Sequence, residues 1–199
     1  MVRLVILLLI AAAWLPLAHS QTPEEAQKFA ASISALAETP RAAAYRKFIE
    51  LHVIAKPHPE KEIDAFIQRA SKGDRDAFAF VALMVWQEYA GFRGPQVVGK
   101  LALVKAMNDG SAVAAYFIGE TFVKVGVSKP EERGERYLDS LHWFGVAAGM
   151  GEPRAHERAL ELIKTIGASL NEEQRRQLHA LYNKGMEEGV LNRQKAPPP

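Results

Sequence analysis

The sequence predicts an all-α protein of stacked antiparallel helix pairs, and three observations predict it. Apolar residues recur at helical spacing along nearly the whole chain from Thr22 onward. No segment alternates apolar and polar residues over the length of a strand; the best candidate, Gln96-Val97-Val98 after Gly94-Pro95, reads as the first turn of a helix. A small-residue phrase built on a glycine returns at Gly73, Gly110 and Gly151, at intervals of 37 and 41 residues, as expected for a repeated helix–turn–helix unit.

The first segment is of another kind. Arg3 supplies a positive start, Val5 to Leu17 is apolar with Pro16 near its end, and Ala18-His19-Ser20 places small residues before a cut. This is the pattern of a secretory signal peptide over residues 1–20, cleaved after Ser20. The apolar run falls short of the roughly 20 residues a membrane-spanning helix needs, and with no cysteine after it a lipoprotein anchor is excluded. The expected location is the periplasm or the exterior, with no stable membrane insertion after cleavage. Loss of Arg3 lowers the net charge from +2 to +1. That near-neutral balance speaks against nucleic acid or an anionic membrane as the main partner. A chain without cysteine has no thiol chemistry and no disulfide, so its core alone must hold it.

From there the elements follow in order. Thr22-Pro23-Glu24-Glu25 gives an N-cap, a proline at the first helical position and a capping glutamate, with Ala26, Phe29, Ala30, Ile33 and Ala37 on one face. Thr39-Pro40 starts a second helix, with Tyr45, Phe48, Ile49 and His52 at helical spacing. Residues 55–62, AKPHPEKE, end that helix and start another near Pro59. Residues 21–60 therefore read as N-terminal capping helices and residues 61–166 as the repeated part. Asn171-Glu172-Glu173 opens a C-terminal capping helix within 167–192, with Leu178, Leu181, Tyr182 and Met186 inward and Gly189 as its C-cap. Residues 193–199 end in three prolines and are expected to be disordered.

Each position of the repeat has a physical task. The glycine can end a helix in the left-handed conformation at little cost. Four residues on stands Ala77, Ala114 or Ala155, small enough for a close helix crossing. Val81, Ile118 or Ala159 and then Val85, Phe122 or Ile163 continue the buried stripe. Three residues before each glycine stands Ala70, Met107 or Ala148. One helix pair cannot bury its faces, whereas stacked pairs can.

Residues 114–127, AAYFIGETFVKVGV, and 141–155, LHWFGVAAGMGEPRA, resemble the Sel-one-like repeat, a branch of the tetratricopeptide-type (TPR-like) helical solenoids. The matching positions are Ala114, Ile118-Gly119, Phe122, Gly126-Val127, Trp143-Phe144, Ala147-Ala148, Gly151 and Ala155, with about six extra residues between Gly126 and Trp143 relative to the usual repeat length. The unit ending at Gly110 matches less well, Ala102 replacing the tryptophan, and the one before it keeps only Arg69-Ala70, Gly73 and Ala77. The resemblance implies a short right-handed solenoid that binds a protein. Bacterial members act as scaffolds, as envelope-stress or virulence adaptors, and as inhibitors, or immunity proteins, of toxins delivered to the periplasm.

Residues that carry chemistry are sparse. His52 and His58 are six apart across a proline break, which is wrong for two ligands on one helix face, and His156-Glu157 has no second histidine at zinc-protease spacing. No nucleophile elbow, Ser-x-x-Lys or phosphate loop occurs; GFRG at 91–94 and GMG at 149–151 read as turns. No metal, cofactor or catalytic residue is expected. The expected function is an exported protein-binding module, an adaptor, scaffold or inhibitor of an envelope or secreted protein; the alternative is an enzyme or accessory factor acting on cell-wall material. The first helix of each unit lines the binding face of such solenoids, so the resemblance makes Trp86, Gln87, Tyr116, Glu120, Lys124 and Glu157 the candidate partner-binding residues. Gly73, Ala77, Gly110, Ala114, Gly119, Trp143, Ala148, Gly151 and Ala155 are the candidate structural positions of the repeat.

Overall fold

The computed structural model describes residues 40–54, 56–58, 60–89, 91–92, 94, 96–129, 132–168 and 170–196. The segment 1–20 and the helix expected over residues 22–37 lie outside the described residues. Among the described residues the chain is all-helical: α1 Arg41–His52, α2 Lys61–Ser71, α3 Arg75–Trp86, α4 Gln96–Asn108, α5 Ala112–Ser128, α6 Arg133–Met150, α7 Pro153–Gly167 and α8 Glu172–Lys195. The Gln96-Val97-Val98 segment opens α4, as the proline and glycine before it foretold. Among the described residues the β-pairing is an isolated antiparallel bridge between Val53 and Phe92, beside which the Ile54 N–H donates to Gly91 O at 2.8 Å.

Three of the inter-helix turns share one geometry. Gly73, Gly110 and Gly151 have φ of +99°, +97° and +103°, a region that a side chain would strain. In each turn the glycine N–H donates to the carbonyl three residues back: Gly73 to Ala70 at 2.9 Å, Gly110 to Met107 at 2.8 Å and Gly151 to Ala148 at 3.0 Å. In each, the next N–H reaches five back: Asp74 to Arg69, Ser111 to Ala106 and Glu152 to Ala147. That closes the carbonyl end of one helix. The same next residue caps the following helix. Asp74 accepts from the N–H groups of Asp76 and Ala77, Ser111 from Ala114, and Glu152 from Arg154. Four residues past each glycine, Ala77, Ala114 and Ala155 are fully buried.

Each helix packs on the next in sequence, and α1 on α3, α3 on α5 and α6 on α8 as well. Tyr45 of α1 stacks on Phe78 of α3 with ring centroids 3.7 Å apart, and Phe48 meets the same ring edge-on. The Tyr45 hydroxyl donates to Asp109 Oδ2 at 2.6 Å, and Arg75 donates to the Asp109 carbonyl, which ties α1 and α3 to the α4–α5 turn. Burial and the Asp109 carboxylate push the Tyr45 hydroxyl well above the ordinary tyrosine range. A second core joins α6, α7 and α8 through Leu141, Phe144, Ala159, Leu162, Ile163, Leu178 and Tyr182.

The contact between α6 and α8 is made by backbone. Gly145 and Gly149 lie one turn apart on α6, and Gly185 and Gly189 one turn apart on α8. A Cβ on Gly145 would stand 3.0 Å from Gly185 Cα and one on Gly189 would stand 3.0 Å from Gly149 Cα. Each would also collide with a carbonyl of the facing helix: that of Tyr182, Met186, His142 or Val146 for Gly145, Gly149, Gly185 or Gly189. Small residues four apart on both faces let the two main chains touch.

This packing corrects three expectations. Gly189 does not cap α8; it lies inside the helix, at the crossing with α6. Gly149 is likewise helical, so of the GMG phrase only Gly151 forms the turn. The last helix runs three residues past the expected boundary at 192, to Lys195. Its start was legible: Asn171 and Gln174 form a reciprocal capping box.

Candidate functional site

The sequence-selected residues Gln87, Glu120 and Lys124 come together. With Leu83, Phe117 and Thr121 they line an open groove of about 180 Å³ between α3 and α5. Helical spacing places them there. Leu83 is on α3 and Gln87, four residues on, is its C-cap, while Phe117, Glu120, Thr121 and Lys124 follow one face of α5. Leu83, Phe117 and Thr121 were missed by the sequence reading. The signal that would have found them is the same spacing, applied outward from Gln87 and Glu120.

Two of the groove's four polar side chains are already engaged. The Thr121 hydroxyl donates to the Phe117 carbonyl at 2.9 Å. Glu120 Oε1 accepts from the Tyr116 hydroxyl at 2.9 Å and from Arg158 Nε of α7 at 2.8 Å, and Arg158 also pairs with Glu161. Tyr116 therefore stands beside the groove rather than in its lining, with the Arg154 guanidinium 4.7 Å above its ring. Burial, with the hydrogen bond and charge of Glu120, pushes its hydroxyl up to about 12. Lys124 and Gln87 are exposed, and no side-chain hydrogen bond or ion pair holds either among the described residues.

Two candidate residues lie elsewhere. Trp86 is buried at 6% exposure and does not line the groove. Gly99 brings α4 against the main chain of α3, so that a Cβ there would stand 2.6 Å from Trp86 Cα. Lys100 of α4 then lies over the Trp86 ring at 5.1 Å. Burial, with Arg136 nearby, lowers the Lys100 ammonium from its ordinary range. Glu157 is exposed on α7, outside the groove lining.

The repeat positions fall within the packing. Gly119 faces the Phe144 ring, where a Cβ would lie 2.7 Å from two ring carbons. Trp143 and Phe144 are buried and Ala148 is half-buried. Between Gly126 and Trp143 lie the last residues of α5 and the first turns of α6.

The histidines are dispersed. His58 is buried against Phe92 with ring centroids 5.0 Å apart, and its Nε2 has no hydrogen-bond partner. His156 Nδ1 and the Tyr182 hydroxyl are 2.8 Å apart. Among the described residues no three His, Asp or Glu side chains are placed to hold a metal ion, and no helix is long and apolar enough to cross a membrane. Of the carboxyls held away from their ordinary range, Asp139 is raised, by burial, and it lies 3.4 Å from Arg136. Asp74, Glu132 and Glu152 are lowered, each with an arginine partner.

Comparison of the chain with family models, with curated proteins and with solved structures finds no match, so the functional reading rests on the chain's own residues.

Proposed function

We propose that the protein is an exported helical-repeat module that binds another protein of the cell envelope, as an adaptor, scaffold or inhibitor. Its helix pairs α2–α3, α4–α5 and α6–α7 are read as stacked Sel-one-like units of a short solenoid. One observation carries the binding assignment. Gln87, Glu120 and Lys124, three of the six candidate partner-binding residues, line a single groove between α3 and α5. The shared geometry of the turns at Gly73, Gly110 and Gly151 supports the repeat. Glu120, the acid in the groove lining, is held by Arg158, an arrangement that suits a fixed recognition surface better than proton transfer.

The test is affinity capture of the native protein from envelope extract beside the variants Leu83→Glu and Phe117→Glu. Both side chains are half-exposed in the groove, so the fold should survive; circular dichroism checks this. A specific protein retained by the native chain and lost by both folded variants is expected. A partner retained equally by all three would reject the groove. The absence of any specific partner across several growth states would reject the module. Export is tested separately, by fractionation and N-terminal sequencing of the mature chain.

A further inference from the structure

Beside the glycine joint a pair of side chains also links α6 to α8. His142 Nε2 of α6 lies 3.3 Å from Glu188 Oε2 of α8, with the imidazole side chain 25% exposed. Among the described residues this is the ion pair that joins the two helices. Two further charges face the ring: Lys184 of α8 and Asp139 of its own helix, which also lies 3.4 Å from Arg136. The His142 carbonyl is the atom that a Cβ on Gly185 would strike, so the ring hangs from the backbone on which α8 rests. Past the joint, α8 reaches over two of the glycine turns. A Cβ on Gly151 would stand 3.5 Å from Arg193 Nη1, and one on Gly110 would stand 2.8 Å from the Cβ of Ala196, just beyond the helix. The C-terminal half of α8 thus covers both turns while resting on glycine contacts and this titratable pair.

We propose that the α6–α8 joint is an acid-sensitive clasp: the C-terminal half of α8 stays docked while the His142 imidazole is neutral, and its protonation loosens that half and uncovers the turns at Gly110 and Gly151. An added proton places a cation in a half-buried seat beside the Lys184 ammonium, and the ring regains water only if the helices part. Burial holds the His142 imidazole below its ordinary range; Lys184 pushes the same way, and Glu188 and Asp139 pull against them without prevailing. A histidine held lower in the folded chain than its unfolded value, about 6.5, adds stability that is complete above that value. The stability is lost as pH falls toward the folded value. The clasp depends neither on the groove between α3 and α5 nor on export.

The experiment is amide hydrogen exchange on the purified protein between about pH 7.5 and about pH 5.5, a range that spans the unfolded histidine value. Protection over residues 183–195 is corrected for the intrinsic pH dependence of exchange and referred to residues 77–85 of α3. In the native chain it should fall with pH. In His142→Gln, which takes up no proton, the fall should be lost; protection there stays level or rises, since Asp139, raised by burial, gains stability on protonation. Lys184→Gln, at an exposed position, should lessen the native fall, and Glu188→Gln should deepen it. An equal fall in the native chain and His142→Gln would overturn the clasp, as would level protection in the native chain. Protection that rises in acid would overturn it as well, by showing that the Glu188 pair outweighs burial. Should His142→Gln not fold, the other two variants decide: shifts in the same direction would reject His142 as the group that titrates.

Discussion

Adding one methyl group at Gly189 should loosen the joint between α6 and α8. In Gly189→Ala the new Cβ meets the Val146 carbonyl of α6 and lies 2.9 Å from the Val146 carbonyl carbon and 3.0 Å from Gly149 Cα. All three are main-chain atoms, which no rotamer change can move aside, so the helices must separate. Overpacking of this kind costs about 1–3 kcal/mol, and a clash with backbone places it toward the upper end. Alanine returns about 1 kcal/mol of helix propensity over glycine. The net loss is then about 1–2 kcal/mol, and for a unit of this size each kcal/mol moves Tm by about 2–4 °C. Thermal unfolding followed by far-UV circular dichroism should show Tm lower by about 2–8 °C. Gly134→Ala is the control. It also lies in α6, but its added methyl meets no atom within 4 Å. It should leave Tm unchanged or raise it by a few degrees. The double variant Gly149→Ala/Gly189→Ala should cost less than the sum of its parts, because the first methyl already parts the helices. A Gly189→Ala protein that melts at or above the native temperature would refute the backbone contact.

Other perturbations test other parts. Ala155→Leu, at a fully buried position four residues past Gly151, should cost about 1–3 kcal/mol by overpacking; a melting shift near zero would move the crossing elsewhere. Glu88, just past α3, holds a left-handed φ of +52° without being glycine. Glu88→Gly should be stabilising by up to about 1 kcal/mol, and a lower urea midpoint would contradict that. Glu152 caps α7, and the hydrogen bond from Arg154, aided by its backbone N–H and charge, holds the carboxyl below its ordinary range. A depressed carboxyl adds stability that is complete above the unfolded value, about 4.3, and is lost as pH falls through the folded value. Glu152→Gln should therefore destabilise at neutral pH, with the gap to the native chain closing as pH falls through the unfolded value and on through the lower folded one; a gap constant with pH would reject the charged cap.

How much could be read in advance depended on whether a residue's task is local. Gly73, Gly110 and Gly151 were legible because a helix end that turns left-handed asks for glycine within a few residues, and the cap that follows adds its own signature. The capping box at Asn171 was legible for the same reason. The crossing of α6 and α8 was not. Gly145 and Gly149 acquire meaning only beside Gly185 and Gly189, 40 residues away, and near a helix end Gly189 resembles a cap. Trp86 misled for a related reason: its burial depends on Gly99 and Lys100, whose approach from α4 no local pattern announces. Half of the candidate site survived as a set, Gln87, Glu120 and Lys124, because each needed only the correct face of its own helix.

The glycine joint also determines how α8 responds to temperature. Its fully buried positions are Leu178, Tyr182, Gly185 and Gly189, so half of them bring no side chain to the core. Around Gly185 and Gly189 little apolar surface leaves water when the helix docks. The attraction there is dispersion between closely spaced main-chain atoms. Such contact adds little to the heat capacity of unfolding and does not fade on cooling as apolar burial does. The C-terminal half of α8 should thus hold its place in the cold, where joints built on aliphatic side chains weaken first.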